Sequence, residues 1–317
     1  MKRTKSTSEN SPHRFSQQMS SFVETPVNIT GDLSQGRGFD FPYGVAFDSK
    51  HKSIVVTAFG NHRLQFFSQQ DGKFLFAYGS AGTKNGQFNC PKGVCIQPAT
   101  SNVIVTDCNR LQVFSVSPVS ASSLEHLFFV GSAKERGSGP SQFNEPRGIC
   151  CTARGDIIVA DCNNHRMQIF DCKGRHVRAF GSYGQANNQF QNPWDVCVQE
   201  DANRMIITDS SNNRLSVWSV DGCEPILTVP AQGYPAGICK YPHTHRIVVS
   251  CDGSNDIKVF DTKTKNEWNV VQRFGSQGER PGQFKWPYGV CVDDRGVLFV
   301  ADFANNRVQM FQTDVKK

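Results

Sequence analysis

The chain has 317 residues, 38% of them hydrophobic and 20% charged, with a formal net charge of +6, an ordinary balance for a chain with a packed core. Its longest apolar runs are about five residues, far short of a membrane-spanning helix, so no membrane partner is expected. The charge excludes little. Lys2, Arg3, Lys5 and Arg14 against Glu9 put +3 into residues 1–20, and Lys316 and Lys317 against Asp314 add +1 at the other end, which leaves the body near neutral. Net charge therefore does not argue for nucleic acid, and no DNA partner is expected.

In chain order, residues 1–20 read as a disordered basic tail rich in Ser, Gln, Lys and Arg. They hold no apolar stretch of the kind a secretory signal needs, so a cytoplasmic location with reduced thiols is expected. Residues 21–312 then form one repeat domain, and 313–317 are a short C-terminal tail. The apolar stretch Phe22 to Ile29 lies before the first copy of the repeat.

The copies announce themselves by a Pro-x-Gly-(Val/Ile) step at Pro42-Tyr43-Gly44-Val45, Pro91-Lys92-Gly93-Val94, Pro146-Arg147-Gly148-Ile149, Pro235-Ala236-Gly237-Ile238 and Pro287-Tyr288-Gly289-Val290. A sixth reads Pro193-Trp194-Asp195-Val196. Successive prolines lie 49, 55, 47, 42 and 52 residues apart, the period of a four-stranded propeller blade rather than of a helical repeat. Each copy continues with a β-branched run, such as Ile54 to Thr57 or Ile157 to Ala160, then an Asn-rich turn and an alternating third strand, such as Arg166 to Phe170. In that third strand the apolar residues are expected to face one way and Gln the other. A hairpin turn, Asp71-Gly72 or Lys173-Gly174, returns the chain into a fourth strand. The last copy stops after its third strand at Phe311, so Phe22 to Ile29 should supply the missing one and close the ring. The fold class is all-β, a six-bladed β-propeller closed by an N-terminal strand that completes the last blade.

Cys95, Cys150, Cys197, Cys239 and Cys291 recur at one position of the repeat, where the first copy has Ala46, and read as small buried strand residues. There is no CxxC pair and no zinc-finger spacing, so neither metal nor other cofactor is expected.

The string Val-Ala-Asp-Cys-Asn-Asn-His-Arg-Met-Gln-Ile-Phe at 159–170, its relatives at 207–218 and 300–311, and the linkers running from Phe-Gly-Ser to Gly-Gln-Phe at 274–284 resemble the NHL repeat. The resemblance covers about residues 22–312 and is similar to the C-terminal domain of tripartite-motif and malin-like ubiquitin-ligase proteins, where such propellers recognise RNA or partner proteins. It implies a recognition module and a link to the ubiquitin pathway. The chain shows no RING, B-box or coiled-coil pattern, so ubiquitin transfer is not expected of it alone.

The resemblance places the binding face on the side that carries the Pro-x-Gly steps and the turns between second and third strands. Tyr43, Lys92, Arg147, Trp194 and Tyr288 stand at the middle of those steps; Phe59, His62, Arg63, Arg110, His165 and Phe303 stand in the turns. Aromatic rings interleaved with cations suit unpaired bases and phosphates, and they suit protein hot spots equally well. RNA and protein partners both remain open at this point. A positive face centred on Lys92 and Arg147 is expected for RNA, and a mixed or apolar one centred on Trp194, Tyr43 and Tyr288 for protein. Asp161 with Arg166, Asp209 with Arg214 and Asp302 with Arg307 read as structural pairs across the turn. Arg63 faces Ala58 instead of an aspartate and is expected to be free for a ligand, while the shorter second copy leaves the pairing of Asp107 and Arg110 open. Six-bladed propellers include metal-dependent enzymes, but Asp195 is the one acidic residue expected at the channel mouth, and His243 and His245 lack a third ligand. The chain is read as a monomeric, non-catalytic propeller with no catalytic residues.

Overall fold

The computed structural model describes residues 26–31, 38–116, 123–264 and 267–312. The two expected tails and the Phe22 to Thr25 part of the closing stretch lie outside the described residues. Strand β1 is Val27–Ile29. The first blade is β2 (Pro42–Asp48), β3 (Ser53–Ala58), β4 (Arg63–Ser68) and β5 (Phe74–Tyr78); the second is β6 (Pro91–Ile96), β7 (Val103–Asp107), β8 (Asn109–Val116) and β9 (Leu124–Ser132). The third holds β10 (Pro146–Cys151), β11 (Ile157–Asp161), β12 (Arg166–Phe170) and β13 (His176–Phe180), and the fourth β14 (Pro193–Gln199), β15 (Arg204–Asp209), β16 (Arg214–Ser219) and β17 (Pro225–Pro230). The fifth is β18 (Pro235–Lys240), β19 (Arg246–Cys251), β20 (Asp256–Asp261) and β21 (Asn269–Phe274); the sixth has β22 (Pro287–Val292), β23 (Leu298–Asp302) and β24 (Arg307–Phe311). Each of the six antiparallel sheets has four strands, because β1 pairs with β24 through Val27↔Met310 and Ile29↔Val308. The ring is closed as the chain order predicts.

The second strand of every blade is buried, since both faces of the sheet meet a neighbouring blade. That is why these strands read as β-branched runs without polar alternation. The linkers between blades are pinned by phenylalanines: Phe88, Phe143, Phe190 and Phe284 are fully buried, and three of them also bridge back to the start of their own linker.

The third-strand glutamines, on the face opposite the apolar residues, are part of the packed interior. Gln112, Gln168 and Gln309 are buried rather than turned to solvent. The Gln168 amide donates to the Gln142 carbonyl (2.8 Å) and to Asp161 Oδ2 (3.0 Å), and Gln309 repeats the arrangement with Gln283 and Asp302. Asp161 Oδ2 also accepts from Arg166 Nε at 2.8 Å, while the outer guanidinium nitrogens of Arg166 donate to the carbonyls of Ser138, Gly139 and Gln142. The Asp–Arg pair therefore clamps the incoming linker as well as its own turn. Asp209–Arg214 and Asp302–Arg307 do the same.

Inner strands approach one another closely around the channel. A Cβ on Gly289 would lie 2.7 Å from the Tyr43 carbonyl oxygen of the next blade, which is why the step wants glycine. Hydroxyls join the blades at the same level: Thr57 Oγ1 accepts from Gly44 N at 2.7 Å and donates to the Lys92 carbonyl of the next blade at 2.5 Å. Thr106, Thr208 and Ser250 do likewise.

Candidate binding face

Chain direction fixes which side carries the site. Inner strands enter at their Pro-x-Gly step, so the linkers and the turns between second and third strands share one face of the ring, here the upper face. Six residues immediately before the step prolines, Phe41, Cys90, Glu145, Asn192, Tyr234 and Trp286, all have φ between 54° and 59°. Left-handed backbone is uncommon for any non-glycine residue and costly for a bulky one. It is held by a staple from the preceding blade. The backbone N–H of each residue donates to a side chain at the end of the neighbouring turn or just after it: Phe41 to Asn306 Oδ1 (2.9 Å), Cys90 to His62 Nδ1 (3.1 Å), Glu145 to Asn109 Oδ1 (3.3 Å), Asn192 to His165 Nδ1 (3.1 Å), Tyr234 to Asn213 Oδ1 (2.9 Å) and Trp286 to Asn255 Oδ1 (2.9 Å).

Two of the candidate ligands, His62 and His165, belong to this staple. His62 and His165 hold neighbouring blades together, and their acceptor nitrogens are occupied. Burial lowers the His165 pKa, as an acceptor role requires, and the ring edge of exposed Tyr183 packs on it at 4.9 Å.

The expected cations are also engaged. Lys92 is only 7% exposed and its ammonium pairs with Glu145. Arg110 is buried, its Nε and Nη2 both on Asp107 Oδ2 (3.0 and 2.9 Å) and its other donors on linker carbonyls. Arg63 is partly buried and is not without a partner, so the expectation that Ala58 frees it does not hold. In the fifth blade Asp256 pairs with Arg273 of β21, and Lys258, at the position of the third-strand glutamine, reaches the Gln232 carbonyl. Arg147 donates to Tyr43 Oη at 2.9 Å, and its guanidinium carbon lies 3.5 Å from the centre of the Trp194 ring, a desolvated cation–π contact.

The aromatic candidates come together over the channel mouth. Tyr43 lies 4.8 Å from Tyr288 and 6.2 Å from Trp194; Trp194 is 5.1 Å from Tyr288; Phe303 is 4.7 Å from Tyr288 and 4.8 Å from Phe41; Phe59 is 6.1 Å from Tyr43. Tyr43 is buried, which raises its phenol pKa, and burial pushes Tyr288 up to about 12. These rings are as much a lid on the core as a surface. Below them the channel is a cavity of about 260 Å³ lined by Cys95, Cys150, Cys197, Cys239 and Cys291, and all twelve cysteines are unpaired. Asp195 stands in its wall. Its two carboxylate oxygens accept the N–H groups of Val196 (2.9 Å) and, on the next blade, Ile238 (3.1 Å), and burial raises its pKa to about 7 against those donors. Among the described residues no three His, Cys, Asp or Glu side chains converge as a metal site would require.

Sequence reasoning missed the rim outside this lid. Phe41, Tyr234 and Trp286 are 38, 51 and 54% exposed and sit on the three consecutive blades that flank the closure. Tyr234 lies over Gly253, where a Cβ would overlap its ring. Their signal is readable in retrospect: each immediately precedes a step proline, and the other three blades have Cys, Glu and Asn there.

Fold and repeat together define a six-bladed β-propeller, two of whose copies match a known repeat. The family model "NHL repeat" matches residues 143–170 and 284–311, which cover the outer linker, inner strand and next two strands of the third and sixth copies. Over 161 residues the chain is 32% identical to "Protein brain tumor" of Drosophila melanogaster, covering 50% of this chain and 15% of that protein. It is 28% identical over 145 residues to human "E3 ubiquitin-protein ligase TRIM32", 43% of this chain and 22% of that one. Mouse "Peptidyl-glycine alpha-amidating monooxygenase" is 22% identical over 302 residues, 84% of this chain and 30% of that one. The chain thus spans 15 to 30% of the length of these relatives. Among solved structures, streptogramin B lyase shares the fold with a TM-score of 0.59 at 11% identity, covering 92% of this chain and 98% of that one. A nidogen/laminin complex gives 0.57 at 15%, covering 74% and 79%. No helix among the described residues is long and apolar enough to cross a membrane.

Proposed function

We propose that the chain is a non-catalytic recognition module that binds a protein partner through the upper face of the propeller. One observation carries this reading: Lys92 and Arg147, the cations at the centre of the face, are spent on Glu145, Tyr43 and Trp194, while Phe41, Tyr234 and Trp286 stand exposed around them. Phosphate binding needs cations that are free to neutralise it, whereas exposed aromatic anchors on a rigid frame are what protein hot spots are made of. Similarity to a ubiquitin ligase supports substrate recognition as one form of that reading.

The test is anisotropy of a pool of short single-stranded RNAs with the purified protein at two salt concentrations, run beside selection of a displayed random-peptide library on the wild type and on Trp286→Ala. Peptides that bind the wild type and lose at least about tenfold on the variant are expected, with no RNA binding at micromolar protein. Salt-dependent RNA binding without any such peptide would overturn the proposal in favour of an RNA-binding module.

A further inference from the structure

The turn Asp252–Asn255 lies between two of the exposed rim aromatics. The Tyr234 carbonyl accepts from Asp252 N at 3.2 Å, Asn255 Oδ1 accepts from Trp286 N at 2.9 Å, and the Tyr234 ring rests on Gly253. Asp252 occupies the first position of this turn, where the third, fourth and sixth blades have Cys162, Ser210 and Phe303. Among the described residues its half-buried carboxylate makes no ion pair, and Oδ1 has no hydrogen-bond partner. The cations around it are held elsewhere: Arg273 by Asp256, Lys258 by the Gln232 carbonyl and Arg147 by Tyr43 and Trp194. A buried carboxylate oxygen without a donor is unfavourable unless something supplies one, and beyond a backbone N–H and the charge of nearby Arg147 the fold brings nothing to this carboxylate.

We infer that Asp252, flanked by Tyr234 and Trp286 and backed by Tyr288, is the socket for a cationic side chain of the partner protein. The inference rests on the protein-binding reading above and adds the chemistry of the partner. An arginine fits best, because its planar guanidinium can lie on an aromatic face while its N–H fork meets the carboxylate edge. The three aromatic rim positions are the same ones that hold bulky side chains in left-handed backbone, although asparagine serves in that place in the fourth blade. Burial raises the Asp252 carboxyl to about 6, and a seated cation would lower it again.

Random dodecapeptides displayed on phage are selected against the wild type, Trp286→Ala and Asp252→Asn, each first shown to melt cooperatively. Sequences selected by the wild type should be enriched in Arg or Lys at one position, and Asp252→Asn should lose that enrichment. Replacing the enriched residue by Ala in a synthetic peptide should weaken binding about tenfold on the wild type and less than about twofold on Asp252→Asn. Trp286-dependent peptides without a fixed cation, or with one that Asp252→Asn leaves unaffected, would overturn the inference and leave the protein-binding reading standing. Failure to select any Trp286-dependent peptide would overturn both.

Discussion

His165 Nδ1 accepts the backbone N–H of Asn192 at 3.1 Å, joining the turn of the third blade to the left-handed residue that opens the fourth. The fourth, fifth and sixth blades make the same bond with Asn213, Asn255 and Asn306. His165→Asn should therefore be close to neutral, since Asn tolerates the left-handed dihedrals and keeps the acceptor, while His165→Ala should cost about 1 kcal/mol. Chemical denaturation of the three proteins measures this. The pH dependence has a definite sign. Burial lowers the native pKa below the unfolded value of about 6.5, so this contribution is full above that value and declines as the pH falls through it towards the native value. His165→Asn should remove that decline.

Asp195 makes the opposite contribution. Its native pKa of about 7 lies above the unfolded value of about 3.9, so the folded chain takes up the proton first and stability rises as the pH falls from 7 to 4. One such group gives a slope of at most about 1.4 kcal/mol per pH unit. Asp195→Asn should flatten the profile in that window, read by denaturant unfolding at pH 4, 5, 6, 7 and 8. Parallel profiles for variant and wild type would show that Asp195 does not titrate there.

Closure of the ring rests on three residues of β1. Ile29 is buried against the first and last blades, whereas Val27 is exposed on the same strand. Ile29→Ala should cost about 2–4 kcal/mol and Val27→Ala less than about 0.5 kcal/mol, both by equilibrium unfolding. Equal effects would contradict the register Ile29↔Val308.

Blade number, strand order and closure were legible because each depends on a spacing along the chain: the step prolines recur, and the last copy lacks a strand that the segment before the first can supply. The binding face was legible only in outline. Which cations are free depends on contacts across blades, such as Lys92 with Glu145, 53 residues on, and nothing local to Pro91-Lys92-Gly93 announces that partner. His62 and His165 stand out in the sequence because a histidine in a turn carries chemistry; their backbone partners become visible only when adjacent blades are set side by side. Phe41, Tyr234 and Trp286 were in plain view, but their exposure follows from left-handed backbone before proline, a conformation that the residues themselves disfavour. The Asp–Arg pairs were read correctly as structural because their five-residue spacing spans one turn.

The most direct measurement places the photoreactive residue p-benzoylphenylalanine at Tyr234 on the upper rim and, as a control, at exposed His243 in the turn between β18 and β19 on the opposite face. Irradiation in cell extract should give polypeptide adducts at position 234 that survive nuclease and are absent at 243. Nuclease-sensitive adducts at 234, or the same adducts at both positions, would contradict recognition of a protein through the aromatic rim.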